Sequence, residues 1–388
     1  MEKVAPKVLN WASDIDPEAI KQAAKTSRLP FVEGHVALMP DAHVGMGSTV
    51  GSVIPTKGAI IPAAVGVDIG CGMIAVETDL AAKDLPDSLD GMVSSFSDAI
   101  PAGVGKGHDN YSREAETWFS QNAISFSTEL DQKLRHMALG QFGTLGSGNH
   151  FVEICLDERD MVWTVLHSGS RGLGNKLASK HITKAKKICR EMFIHLEDPD
   201  LAYFVQSQPE FHEYISDMLT CQNWALANRE KMMNNALRIL FLTIGKGKEL
   251  ARINCHHNFT QMEHHHGSDL WITRKGAIKA NTDDLGVIPG SMGTRSYVVR
   301  GLGSAASYHS CSHGAGRRLS RSKAKAMYTE EDLISEMQGV TSWQSSKASY
   351  LIDEIPSSYK DIDQVMEDQK DLVKIEHTLH QVLNYKGT

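Results

Sequence analysis

The chain has 388 residues, 41% of them hydrophobic, and a formal net charge of −7 at pH 7. This length and apolar content are enough for a substantial core, so we expect a globular protein with one large domain or two to three ordinary ones. The negative charge argues against a protein that binds polyanions through its whole surface, so any nucleic-acid site must be local. The six cysteines are scattered without a C-x-x-C pair, which indicates reduced thiols.

The N-terminal sequence MEKVAPKVLNW has no apolar core of the kind found in a secretory signal. The weakly polar stretch 49–76 is interrupted by Lys57, Asp68 and many glycines, which a bilayer span would not tolerate well. We therefore expect a cytoplasmic protein that has no membrane partner.

The first unusual segment is GVDIGCG, residues 66–72, in which Asp68 and Cys71 stand among glycines. Glycine adds little packing, so this density indicates that the backbone bends tightly or approaches something closely. A carboxylate and a thiol on such a scaffold indicate a metal site.

Apolar periodicity predicts helices around 112–136, across much of 175–240 and over 360–383. Stretches rich in β-branched or aromatic residues predict strands at 151–155, 161–167, 270–274 and 296–302. This alternation lacks the steady rhythm of a doubly wound sheet. We therefore predict an α+β fold in which helices surround central β-sheets. One domain over 1–388 is expected, because the chemically interesting residues come from the whole length.

Candidate metal ligands lie in segments of small residues, mostly at predicted strand ends, where loops converge and side chains point into one cleft. They are Asp68, Cys71, His150, His167 and His257. A structural zinc site would favour more cysteines at short spacing, so this mixed set fits a catalytic site with open positions. Five ligands can hold two ions if a thiolate bridges them, and two ions suit phosphoryl transfer.

From Leu285 through Thr329 the chain has no Asp or Glu. The same stretch carries seven basic residues, namely Arg295, Arg300, Arg317, Arg318, Arg321, Lys323 and Lys325. A chance fluctuation on a solvated face is the simpler interpretation. The glycines and histidines of the same stretch favour a phosphate site.

Long ordered blocks of the sequence resemble the RtcB family of RNA-splicing ligases. They are MPDAHVGMGSTVGSVIPTKGAIIPAAVGVDIGCGM (39–73), GTLGSGNHFVEI (143–154), LHSGSRGLGN (166–175), NCHHN (254–258), VIPGSMGTRSYVVRGLG (287–303), SCSHGAGRRLSR (310–321) and YKG (385–387). The resemblance implies an RtcB-like fold and an enzyme of RNA repair or tRNA splicing. This enzyme would join RNA 2′,3′-cyclic phosphate or 3′-phosphate ends to 5′-hydroxyl ends, using GTP and Mn²⁺.

The resemblance also implies roles for residues. Cys71 would bridge two Mn²⁺ ions, with Asp68 and His150 on one and His167 and His257 on the other. His313 would be the nucleophile that carries GMP covalently. His43 would lie near the site without being a ligand.

By the same resemblance, guanylate contacts fall on Asn149, His150, Phe151, Val152, Glu153, His257, Asn258, Pro289, Gly290, Ser291, Met292, Ser296, His313, Gly314, Ala315, Gly316 and Lys386. Glu153 would accept two N–H groups of the guanine edge, as a carboxylate can. The RNA backbone would be received by Arg171, Arg295, Arg317, Arg318 and Arg321.

Two other functions stay open at this point. A dinuclear metal-dependent cyclic phosphodiesterase or phosphatase acting on RNA ends would need the metal cluster but no covalent guanylate. A noncatalytic RNA-binding protein would need more aromatic residues for base stacking and a positive net charge, whereas this chain has 7% aromatic residues and a net charge of −7. The region 101–140 is short for the family, so a loop that grips RNA is expected to be trimmed. The resemblance leaves open whether an accessory activating protein is needed.

Overall fold

A computed structural model describes residues 1–387 of the chain. Its helices, numbered in chain order, are α1 Pro17–Ser27, α2 Pro62–Val65, α3 Asp90–Ala99, α4 Arg113–Asn122, α5 Gln132–Gly140, α6 Arg171–Glu191, α7 Pro209–Ile244, α8 Arg321–Met327, α9 Glu330–Glu336, α10 Ala348–Leu351 and α11 Ile362–Glu367. The longest, α7, begins with a proline, which is compatible with a first helical turn, and ends at Gly245, whose φ of 78° stops the helix.

The strands are β1 Glu2–Ala5, β2 Val8–Asn10, β3 Val36–His43, β4 Val50–Thr56, β5 Ala59–Ile60, β6 Gly72–Ala81, β7 Phe151–Leu156, β8 Met161–Ser168, β9 Phe204–Val205, β10 Glu249–His256, β11 Asn258–His265, β12 Ser268–Lys275, β13 Ala277–Lys279, β14 Leu285–Pro289, β15 Ser296–Gly301, β16 Ser310–Ser312, β17 Ser342–Trp343 and β18 Val373–Lys386. A six-stranded sheet has the order β1-β2-β3-β4-β12-β11. An eight-stranded sheet has the order β10-β6-β8-β7-β18-β15-β14, with β17 paired to β18.

The two large sheets enclose one part of the core between them. Met39 of β3 and Ile272 of β12 pack there with Ile288 of β14 and Val299 of β15. The other side of the eight-stranded sheet packs against α3 and α7, where Val152 of β7 lies among helix side chains. Helices therefore cover the sheets from outside, and the predicted α+β class is confirmed.

The strands predicted at 151–155, 161–167, 270–274 and 296–302 are confirmed as β7, β8, β12 and β15. The prediction for 175–240 is confirmed as α6 and α7, with a break around Pro199. The helix predicted at 112–136 is two helices, α4 and α5, with irregular chain between them.

The helix predicted over 360–383 is wrong beyond its first turns. Only Ile362–Glu367 is helical, and Val373–Lys386 is a strand of the eight-stranded sheet. The apolar residues of this segment alternate from Val373, and Leu379, Leu383 and Tyr385 are buried at intervals of two or four. That two-residue period is the pattern of a strand. None of the described helices is long and apolar enough to cross a membrane.

Candidate active site

One row of residues across the eight-stranded sheet joins distant parts of the chain. Cys255 of β10 pairs with Met73 of β6, which pairs with His167 of β8. His167 pairs in turn with Phe151 of β7, and Phe151 with Lys386 of β18. Side chains that precede β6 and β7 or follow β10 therefore meet at one end of these strands.

The five candidate metal ligands form a connected cluster at this place. The Cys71 Sγ lies 3.5 Å from His150 Nε2 and 3.3 Å from His167 Nε2. His150 Nε2 is 3.2 Å from Asp68 Oδ2, and His167 Nε2 is 2.8 Å from His257 Nε2. Cys71 thus lies between the Asp68–His150 pair and the His167–His257 pair, as a bridging ligand would.

The imidazoles are oriented by backbone carbonyls. His150 Nδ1 lies 2.9 Å from the carbonyl oxygen of Leu145, and His167 Nδ1 lies 3.1 Å from that of Asn149. Because a carbonyl only accepts, each Nδ1 carries a proton and donates it, so each Nε2 offers its lone pair to the cluster. Burial also lowers the pKa of His167 and of His257 well below the usual value, which keeps both rings in the neutral form that binds metal.

The donor set fits a transition-metal centre. Burial, with the Asp68 carboxylate adding to it, raises the pKa of the Cys71 thiol, so a thiolate at this position requires a cation beside it. Lone pairs of His150 and His167 face a carboxylate and a sulfur, and a divalent cation between them would satisfy all of these groups. Together the cluster supplies sulfur, nitrogen and oxygen ligands for more than one ion.

His313 lies beside this cluster, and its ring orientation is set by Asp41. The Asp41 Oδ2 accepts hydrogen bonds from His313 Nδ1 at 2.6 Å, from the His313 backbone N–H at 3.0 Å and from the Gly314 N–H at 3.3 Å. Since Nδ1 is bound to the carboxylate, Nε2 is the ring nitrogen left for chemistry. The ring centroids of His313 and His257 are 4.7 Å apart.

Glycine is required where the His313 loop meets β3. Gly316 has a φ of 75°, and a Cβ atom there would lie only 2.3 Å from the Asp41 carbonyl oxygen. A larger residue would push the loop away from the strand that carries Asp41. The close approach therefore preserves the contact between Asp41 and His313.

A cavity of about 340 Å³ opens in front of the cluster and His313, a volume within the range of ligand pockets. Among the predicted nucleotide contacts, those that line it are Asn149, Phe151, His257, Asn258, Pro289, Gly290, Ser291, His313, Gly314, Ala315, Gly316 and Lys386. The predicted contacts His150, Val152, Glu153, Met292 and Ser296 are buried and are not among the lining residues. His43 lines the cavity too, and burial lowers its pKa to about 4.

Glu153 is buried beside Asn384, whose Nδ2 donates to Glu153 Oε1 at 2.8 Å. Burial raises the pKa of Glu153 to about 8, although the nearby charge of Lys386 and the bond from Asn384 oppose this. Its predicted role as the guanine acceptor stays a prediction.

A buried carboxylate, Glu354, binds four residues that line the cavity. It pairs with Lys386 Nζ at 3.2 Å and accepts a hydrogen bond from Tyr359 OH at 2.6 Å. Arg317 Nη1 lies 3.4 Å from it, and Arg321 also bonds to it. Burial alone would raise the pKa of Glu354, but these cations outweigh it and hold the value at about 2. The C-terminal Lys386 is therefore fixed in the cavity wall.

The other predicted RNA-binding arginines do not line the cavity. Arg171 is partly buried and donates to the Gly103 carbonyl and to Thr144 Oγ1 at 3.1 Å each. Arg295 pairs with Asp363 at 2.5 Å, and Arg318 lies 3.5 Å from Asp14. The stretch 285–329, which lacks acidic residues, is thus partly neutralised by carboxylates from other segments, and its charge in the fold is lower than its sequence indicates.

Sequence reasoning missed four residues of this site: Asp41, Lys275, Glu354 and Tyr359. Asp41 had a signal, because it is an acidic residue inside the apolar strand VALMPDAH. Lys275 belongs to a KGAI tetrapeptide that also occurs at 57–60. It lines the cavity, and burial lowers its pKa to about 8. Glu354 ends one short 3₁₀ helix and Tyr359 directly follows another, and neither belongs to a motif.

Comparison with known proteins places these features in a family. A family model described as "tRNA-splicing ligase RtcB" matches residues 22–387. The chain is 44% identical to the RNA-splicing ligase RtcB of Escherichia coli K12 over an alignment of 403 residues, which covers 100% of this chain and 98% of the relative. It is 30% identical to the tRNA-splicing ligase RtcB of Nanoarchaeum equitans, with 89% of this chain and 86% of the relative covered. The corresponding protein of Methanococcus maripaludis is 28% identical, with 91% and 87% covered.

Proposed function

The chain belongs to the RtcB family of RNA-splicing ligases, and we propose that it is a GTP- and Mn²⁺-dependent RNA ligase. It joins RNA 2′,3′-cyclic phosphate or 3′-phosphate ends to 5′-hydroxyl ends, in RNA repair or tRNA splicing. The observation that carries this proposal is the convergence of Asp68, Cys71, His150, His167 and His257 beside His313 at one cavity. Residues 1–388 act as a single catalytic domain, since the site draws on segments from Asp41 to Lys386.

Asp68 and His150 would hold one Mn²⁺ and His167 and His257 the other, with Cys71 shared between them. When bound, the ions neutralise phosphate charge as Lewis acids. The chain supplies the nucleophile: His313 Nε2 attacks the α-phosphorus of GTP, an N–P bond forms, the bond to the β-phosphate oxygen breaks, and pyrophosphate leaves. Asp41 keeps the proton on Nδ1 and balances the positive charge that the ring gains.

The GMP then passes from His313 to the RNA 3′-phosphate, so that the N–P bond is replaced by a phosphoanhydride. The RNA 5′-hydroxyl oxygen attacks the activated 3′-phosphorus, loses its proton and displaces GMP, which completes the new phosphodiester. A 2′,3′-cyclic end first takes up water to become a 3′-phosphate. Lys386, Arg317 and Arg321 line the cavity and provide charge-assisted hydrogen bonds to phosphate oxygens.

A direct test incubates purified protein with Mn²⁺ and α-labelled GTP, and follows label on the protein and then on RNA with a 3′-phosphate end. We expect labelled protein without RNA, and transfer of the label when RNA is added. Hydrolysis of a 2′,3′-cyclic phosphate without any protein labelling would instead support the cyclic phosphodiesterase alternative.

Replacing Asp41 with asparagine is expected to slow labelling of the protein by about 10²- to 10⁴-fold, as when the carboxylate partner of a catalytic histidine is removed. The amide can still accept a hydrogen bond from the backbone N–H of Gly314, but it cannot balance the charge on the His313 ring. Mn²⁺ binding should be unchanged, because Asp41 contacts none of the five ligands through a hydrogen bond. An unchanged labelling rate in D41N would contradict the role of Asp41.

Replacing Arg317 with alanine is expected to weaken RNA joining more than it weakens labelling of His313. Arg317 lines the cavity, and its guanidinium is held by Glu354, the Tyr359 hydroxyl and a backbone carbonyl rather than by the candidate metal ligands or His313. The measurement compares both rates in R317A and in a control, R300A, which removes an arginine paired with Glu376 outside the cavity. Equal losses of joining and labelling in R317A would show that the assignment is wrong.

A further inference from the structure

Arg229 of α7 is a fully buried guanidinium that has no carboxylate partner. It is 0% exposed, and no ion pair to it occurs among residues 1–387. Its Nη1 donates to the carbonyl oxygens of Gly70 at 2.8 Å and Ser168 at 3.0 Å. Its Nε donates to Asn254 Oδ1 at 2.9 Å, and its Nη2 lies 3.1 Å from His256 Nδ1. Burying a guanidinium without a carboxylate partner costs free energy unless its N–H groups are hydrogen-bonded, as they are here.

Three of these four contacts fall on residues adjacent in sequence to a candidate metal ligand. Gly70 precedes Cys71, Ser168 follows His167, and His256 precedes His257. The three segments come from the loop before β6, the end of β8 and the end of β10. One planar side chain therefore contacts the three segments that present three of the five ligands.

The neighbouring residue extends this arrangement to a further loop. Asn228 Oδ1 accepts from the Gly143 N–H at 2.7 Å, and its Nδ2 donates to the carbonyls of Thr144 at 3.3 Å and Gly169 at 3.4 Å. Residues 143–149 lead into His150. Asn228 and Arg229, in the middle of α7, thus hydrogen-bond to the segments that carry the candidate metal ligands.

We propose that Arg229 is a positioning residue for the metal centre, which fixes the backbone on either side of the thiolate bridge. The inference rests on the proposed function, because it takes Cys71, His167 and His257 as the ligands. Arginine suits this task because its N–H groups point in fixed directions in one plane, whereas a lysine ammonium has three donors on a single atom and cannot reach acceptors as far apart as the Gly70 and Ser168 carbonyls and Asn254 Oδ1.

A purely structural role would give a different result. If Arg229 only anchors α7 to the sheet, its loss lowers thermal stability and leaves the intrinsic affinity for metal unchanged. If it positions the ligands, its loss weakens metal binding in protein that is still folded. Residues that orient metal ligands from outside typically change affinity by about 10- to 100-fold.

The test titrates the full chain with Mn²⁺ alone and measures free Mn²⁺ by electron paramagnetic resonance, with circular dichroism as the check of folding. The variants are R229K and R229M, and the controls are R238K and R238M, which change an exposed arginine of the same helix. We expect R229M to bind Mn²⁺ about 10- to 100-fold more weakly, R229K to fall between R229M and the wild type, and both controls to match the wild type.

Wild-type affinity in folded R229K and R229M, with a loss of thermal stability only, would overturn the inference. If R229M does not fold, the Mn²⁺ affinity of R229K tests the inference. This variant keeps the charge and most of the side-chain volume but loses the planar set of N–H donors. A wild-type chain that binds no Mn²⁺ would instead overturn the proposed metal centre. The two failures are therefore distinguishable.

Discussion

Replacing His313 with alanine is expected to abolish covalent labelling by α-labelled GTP and, with it, RNA joining, a loss of at least about 10³-fold. The reason is chemical: we propose that Nε2 of this ring forms the bond to phosphorus, and Asp41 holds the ring by its other nitrogen at 2.6 Å. Of the cavity-lining histidines in the described part of the chain, His313 is the one whose ring bonds to a carboxylate. Labelling is measured on denaturing gels after incubation with Mn²⁺.

A matched control is H264A, which removes an exposed histidine that pairs with Asp269 outside the cavity. It should be labelled like the wild type. Mn²⁺ binding should persist in H313A, because His313 is not among the five ligands. Continued labelling of H313A at the wild-type rate would mean that the nucleotide is carried by another residue and would contradict the proposed chemistry.

Replacing Cys71 with serine or alanine is expected to have an effect of similar size, but through the metal. The Sγ lies 3.5 Å from His150 and 3.3 Å from His167, and we propose that it is the ligand shared by both halves of the cluster. Its loss should weaken the binding of both Mn²⁺ ions and reduce labelling by about 10²-fold or more. Serine should not rescue, since a hydroxyl is a much poorer anionic bridge than a thiolate.

The control for this experiment is C189A, because Cys189 is a buried cysteine of α6 that packs in a different part of the core. Mn²⁺ stoichiometry and labelling are measured for C71S, C71A and C189A. Two bound ions with full labelling in either Cys71 variant would overturn the bridging role, whereas one bound ion with partial labelling would reduce Cys71 to a ligand of a single ion.

Much of this site was predictable because the key residues sit in short segments with unusual composition. GVDIGCG places Asp68 and Cys71 directly before β6, and the strands that carry His150 and His167 at their ends are rich in β-branched and aromatic residues. The sequence does not show the register in which β6, β7 and β8 pair. That Met73 lies beside His167, and His167 beside Phe151, follows from pairing between strands far apart in the chain.

The failed helix prediction has the same origin. The segment 360–383 is predicted to be helical because Ile362, Val365, Met366, Leu372, Ile375 and Leu379 approximate an apolar helix face, yet only Ile362–Glu367 is a helix. Its remainder alternates and completes the sheet, which brings Lys386 opposite Phe151. The basic stretch 285–329 is predicted to be a phosphate site, and its charge in the fold is lower than its sequence indicates because Glu354, Asp363 and Asp14 partly neutralise it. Pairings of this kind depend on tertiary contacts that local composition does not encode.

The central claim is that a Cys71-bridged pair of ions faces a histidine that carries the nucleotide. The most direct test is a crystal structure of the protein with Mn²⁺ and GTP, with the ions located by anomalous scattering at the manganese edge. The account predicts two manganese peaks on either side of Cys71 Sγ and GMP density continuous with His313 Nε2. Manganese absent from the GVDIGCG loop, or a nucleotide bound away from the SCSHGAG turn, would contradict it.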